Sequence, residues 1–159
     1  MIRAALWILS AAALMAGSPL LCEMIEIGQA KSLPWKLSRG WQGVDDTYSL
    51  VTLQTDTLSI LTPTAPVPLR METIRRAALY SAQDPAVAER LAIQLLTRVL
   101  DSQAAHPSAW FDAGYFVASL RQASHQRTAF SGVHPKQWVR HAIELGGKGM
   151  ENALARIPE

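Results

Sequence analysis

Apolar positions in the C-terminal half of this chain recur at helical spacing. Met71, Ile74 and Ala78 lie three and four residues apart and share one face, so a helix runs from Leu69 to about Gln83. Asp84-Pro85 then supplies an N-cap and a residue suited to a first helical turn. The next stripe is Ala88, Leu91, Ala92, Leu95 and Val99, widened by Leu96 and Leu100, and it ends before His106-Pro107. A third helix starts near Ser108. It carries Ala109, Ala113, Phe116, Val117 and Leu120 on one side, and Trp110, Phe111 and Tyr115 make it apolar over most of its circumference, which predicts a central position between neighbours. Beyond a polar connector from Ser124 to Val133, Pro135 opens a helix with Trp138, Ala142 and Leu145, and Gly146-Gly147 closes it. Met150, Ala153, Leu154 and Ile157 form a last amphipathic turn or two before Pro158.

Upstream the pattern changes twice. Tyr48 to Thr62 carries two signals: Val51 and Leu53 alternate as in a strand, whereas Asp56 is placed to cap a short helix holding Leu58, Ile60 and Leu61, the reading we adopt. Pro63, Pro66 and Pro68 form an extended connector. From Glu23 to about Asp46, Gly28, Pro34, Gly40 and Gly43 interrupt isolated apolar residues, which marks a loop-rich leader. Its tryptophans, Trp35 and Trp41, either form an exposed platform or fold back over the helices, and folding back is the simpler account.

The N-terminus reads as an export signal: Arg3 precedes a nearly unbroken apolar run from Ala4 to Ala16, followed by Gly17-Ser18-Pro19. No bond satisfies the cleavage rule cleanly. A cut after Ala16 has Leu14 three positions back, and a cut after Ser18 is followed by Pro19. Extended through Leu21, the run approaches the roughly 18 to 20 residues of a bilayer-spanning helix, so residues 4–21 are also a candidate membrane tether. Cys22, the single cysteine, adds a lipoprotein alternative, although Leu20-Leu21 stand where small residues are wanted. The expected division is residues 1–22 as signal or anchor, 23–68 as leader with a short helix, and 69–159 as a helical domain. The fold class is all-α.

Charge narrows the chemistry. The chain has 15 basic and 13 acidic residues, a net +2, and lacks the clustered basic face of a nucleic-acid binder. Arg70, Arg75 and Arg76 come nearest, but Glu72 reaches both later arginines at i+3 and i+4, which reads as a solvated ion-pair face. A lone cysteine excludes an internal disulfide. His106, His125, His134 and His141 lack the companions of a metal site, and Pro135 sets His134 at a helix start. Gly146-Gly147-Lys148-Gly149 has neither the strand nor the Ser/Thr of a phosphate loop, and Ser131-Gly132 is no nucleophile elbow. No cofactor is implied.

Ala109-Trp110-Phe111-Asp112-Ala113-Gly114 resembles the first helix of a tetratricopeptide repeat, and Trp138 through Gly146 resembles part of a Sel1-like repeat. Neither recurs at the repeat period, so the resemblance implies a short array of helix pairs. The strings Met71 to Ala78 and Phe111 to Tyr115 also resemble an uncharacterised group of bacterial exported proteins with no assigned activity, which implies a shared helical scaffold.

Two functions follow as expectations. The first is a non-enzymatic exported domain that binds a protein or peptide partner in the bacterial envelope through a groove beside Trp110, Phe111, Asp112 and Tyr115, with Arg75 and Arg76 opposite. The second is a small envelope hydrolase using Asp112 or Glu72 as acid or base. A membrane-tethered structural domain is a third. Asp112 itself is open to three accounts: a buried acid of raised pKa, a charge stabilised near a helix N-terminus, or a partner of Arg75 or Arg76.

Overall fold

The computed structural model describes residues 20–36, 40–101, 106–124 and 130–158. The apolar run at 4–16, both candidate cleavage bonds and His125 lie outside the described residues. Those described contain helices and no strand: α1 (Leu53–Ile60), α2 (Val67–Ser81), α3 (Pro85–Asp101), α4 (Pro107–Ala123), α5 (Pro135–Glu144) and α6 (Glu151–Arg156), with a 3-10 turn at Gly40–Gln42. The all-α expectation therefore holds. None of the described helices is long and apolar enough to cross a membrane.

Most boundaries follow from the capping chemistry. Asp84 accepts the Ala86 amide at 2.8 Å and starts α3, Pro107 and Pro135 open α4 and α5, and Gly146 takes φ +94° just beyond α5, where a side chain would be strained. Two boundaries differ from expectation. Pro66 and Pro68 belong to the start of α2 rather than to a separate connector, because first-turn positions have no intrahelical partner for an N–H anyway. Asp56 lies inside α1 instead of capping it; Thr52 precedes the helix, and the Asp56 carboxylate accepts the Tyr48 hydroxyl at 2.5 Å. On α3 the stripe from Ala88 to Val99 is buried, but Leu100 points out and is 84 % exposed.

Helix α4 is the centre of the fold. It packs on α2, α3 and α5, while α1 lies across α2 and α3 and α6 against α5. Phe111, Tyr115 and Phe116 are fully buried, with Phe111 and Tyr115 stacked at 5.4 Å. A side chain of this size contributes several kcal/mol, so Phe111→Ala should destabilise by about 3–5 kcal/mol in denaturant unfolding. The α4–α5 pair is antiparallel: Trp110 meets His141, Gly114 meets Trp138, and Arg121 bonds the Val133 carbonyl. Gly114 permits this approach, since a Cβ there would lie 3.0 Å from Trp138 Cβ and 3.1 Å from the Pro135 carbonyl oxygen. Gly114→Val should push the pair apart at a cost of about 1–3 kcal/mol, visible as a lowered Tm, whereas Gly132→Ala, with open space around it, should leave Tm unchanged.

The leader is not a loose appendage. Leu33 is buried in the same core as the helices, and so are Leu20 and Leu21 just ahead of the leader, in the segment expected to be signal or anchor; residues 20–36 thus form one covering layer. Trp35 folds back, edge-on to Tyr80 at 6.1 Å, with the Arg75 and Arg76 guanidinium groups 4.8 and 5.6 Å from the centre of its ring. Trp41 does the opposite and is 58 % exposed.

Candidate functional site

The residues singled out by sequence fall into three places. The first surrounds Asp112. Its carboxylate receives Arg70 Nη1 at 2.5 Å and lies 3.8 Å from Arg98 Nη1. Arg70 and Asp112 are each only 1 % exposed. The two arginines also donate to the chain leaving α1, Arg70 to the Thr62 carbonyl and Arg98 to the Leu61 carbonyl at 2.7 Å. Both carbonyls follow Ile60, the last residue of α1, so the two arginines fasten the chain where it leaves that helix. Burial pushes the Asp112 carboxyl up to about 6, against the charge and hydrogen bond of Arg70 and the charge of Arg98.

Two expectations for Asp112 are corrected by this geometry. Its partners are Arg70 and Arg98, not Arg75 or Arg76, because the last two project from the opposite side of α2 toward the leader. It also sits in the second turn of a helix that begins at Pro107, too far along for the end of the macrodipole to govern it. Asp112 is therefore a buried carboxylate ion-paired to an arginine of α2, with burial raising its carboxyl and Arg70 opposing that rise.

The second place is Glu72. Arg75 makes a paired contact with both its oxygens, each at 2.8 Å, and Arg76 Nε reaches Oε1 at 2.7 Å. The spacing inference was right about partners and wrong about solvent: the side chains of Glu72 and Arg75 are wholly buried. What covers them is the leader. Ile25 N–H donates to Glu72 Oε2 at 3.0 Å, Arg75 donates to the Leu21 and Gly40 carbonyls, and Arg76 to the Leu33 carbonyl at 2.5 Å. Tyr80 continues the same face, its hydroxyl donating to the Pro34 carbonyl at 2.6 Å and accepting from Asp45 N–H at 3.1 Å, and Thr73 meets Ser32 at 2.9 Å. Burial alone would raise the Glu72 carboxyl. The hydrogen bonds from Arg75, Ile25 and Arg76 with the charge on Arg75 outweigh it and hold Glu72 below the usual carboxylate range.

The third place is the α4–α5 surface. Of the proposed binding residues, Phe111, Asp112, Tyr115 and Arg75 are buried, Arg76 is mostly covered by the leader, and only Trp110 reaches the surface in part. The six therefore do not line one groove. Trp110 is joined instead by Trp138 at 5.0 Å and His141 at 4.7 Å, with His141 3.5 Å from Glu144. Burial pushes the Tyr115 hydroxyl up to about 12.

A groove does exist nearby, and sequence reasoning missed it. It encloses about 820 Å³ and is lined by Ala118, Arg121 and Gln122 of α4, His134 to Gln137 and Arg140 at the start of α5, and Ile157 and Pro158 after α6. Among the described residues, three arginine or lysine side chains and a histidine border it. Arg121 is fixed at its wall by the Phe130 and Val133 carbonyls at 2.9 and 3.0 Å. Lys136 and Arg140, four apart on α5, were a readable signal for a shared face; that Arg121 joins them from α4 depends on tertiary packing.

Among the described residues no group of three or more His, Cys, Asp or Glu side chains is placed to hold a metal ion. Set against protein-family models, curated proteins and solved structures, the chain finds no match in any of the three, so the functional reading rests on its own geometry.

Proposed function

We propose that this chain is an exported, non-enzymatic helical domain that holds a protein or peptide partner in the bacterial envelope, in the groove between α4, α5 and the C-terminal segment. The observation carrying this reading is the groove itself: its volume falls in the range of ligand-binding clefts, and it is bordered by cationic side chains, which suit a partner segment bearing carboxylates. The antiparallel approach of α4 and α5 through Gly114 supports relating this pair to tetratricopeptide or Sel1-like helix pairs. The hydrolase alternative is disfavoured because both carboxylates it needs are engaged by arginines, Asp112 by Arg70 and Glu72 by Arg75 and Arg76.

A photo-crosslinking amino acid in place of Gln137, an exposed groove residue, tests this in cells. A discrete protein adduct should form there and not from exposed Gln94 on α3, and Lys136→Glu with Arg140→Glu should suppress it. Equal labelling from both positions, or none from Gln137, contradicts the proposal.

A further inference from the structure

We infer that the export signal is severed on the N-terminal side of Leu20 and that Cys22 is neither acylated nor the first residue of the mature chain. The inference rests on the export reading above. Leu20 and Leu21 are 1 % and 5 % exposed and belong to the core. Leu21 is also held through both backbone groups, its N–H donating to Gln122 Oε1 at 3.2 Å and its carbonyl accepting from Arg75 Nη1 at 3.2 Å.

Lipoprotein processing breaks the Leu21–Cys22 bond. It would discard two core leucines and strip Arg75, a wholly buried cation, of one of its acceptors. Each lost leucine removes apolar burial that favours the folded state. Use of residues 4–21 as an anchor would likewise draw Leu20 and Leu21 out of the core and into the bilayer. Hydrolysis after Ala16 or after Ser18 keeps both leucines. Water adds across the peptide bond, the released segment leaves with a carboxylate, and the amide nitrogen becomes the ammonium of the mature chain.

The test is intact mass spectrometry of the full chain expressed in an exporting bacterial host and separated into cytosol, membrane and soluble envelope. The expected product is a soluble envelope protein beginning at Gly17 or Pro19, with a Cys22 thiol that iodoacetamide alkylates, since this cysteine is exposed. Cys22→Ser should change neither the start nor the yield, whereas Leu20→Asp with Leu21→Asp should abolish the soluble form. A diacylglyceryl mass on a chain starting at Cys22, or a full-length chain in the membrane fraction, overturns this inference and leaves export standing. Full-length protein confined to the cytosol overturns the export reading, and this one with it.

Discussion

Glu72→Ala should destabilise the domain by about 3–5 kcal/mol, because truncating one partner of a buried ion pair leaves the other charged and unpaired. Here it strands two guanidinium groups and also deprives the Ile25 amide of its acceptor. Native domains have only about 5–15 kcal/mol in total, so most of the stability is at stake. The loss should begin locally. Hydrogen exchange should show residues 20–36 losing protection first, with α3 and α5 following only at higher denaturant, since neither helix contributes a bond to this cluster. Acid should mimic the substitution. The folded carboxyl of Glu72 is held below its ordinary value of 4.5, so its contribution is complete above that pH and is lost as pH falls through the depressed folded value.

Asp112 should behave in the opposite sense. Its carboxyl ordinarily titrates near 3.8 and is pushed up to about 6 in the fold. Between those values the unfolded chain has released the proton that the folded chain retains, so this group's contribution falls as pH rises from about 4 to 6. Asp112→Asn cannot titrate, and this component of the stability profile should vanish in that variant. Asp112→Ala at pH 7 should cost about 3–5 kcal/mol, because Arg70 is then buried without a counter-charge. Urea unfolding of the wild type and both variants from pH 4 to 8 checks the set. A wild-type profile already as flat as that of Asp112→Asn over pH 4 to 6 would show that Asp112 is not a buried acid. As the two carboxylates pull in opposite directions, the two together place maximal stability at about pH 4 to 4.5, where the Glu72 contribution is nearly complete and that of Asp112 has only begun to fall.

The helices were legible because their signals are local. Stripes at three- and four-residue spacing, Asp84 before Pro85, and Pro135 with Gly146-Gly147 each act within a turn or two of chain. The central position of α4 was legible for a related reason: a helix apolar all round has no face to give to water. What surrounds Glu72 was not. The i+3 and i+4 arginines read the same whether the face is wet or dry, and what dries it here is contact with Leu21, Ile25 and Leu33, some forty to fifty positions away, through backbone groups that carry no residue-type signal. The same limit applies to the groove expected beside Trp110. Aromatic excess in α4 marks burial as readily as exposure, and the structure assigns Phe111 and Tyr115 to the core. Asp112 was recognisable as anomalous, but choosing Arg70 over Arg75 as its partner required the angular setting of α2 against α4.

The central claim is that the leader is an integral layer of the fold, fastened to α2 by the buried Glu72 cluster. Amide exchange at Leu21 and Ile25 in the intact protein near neutral pH tests it most directly. Both amides donate inward, to Gln122 and Glu72, and should exchange at rates approaching those of the α4 core. Exchange at the rate of an unstructured peptide at these two positions would contradict the account.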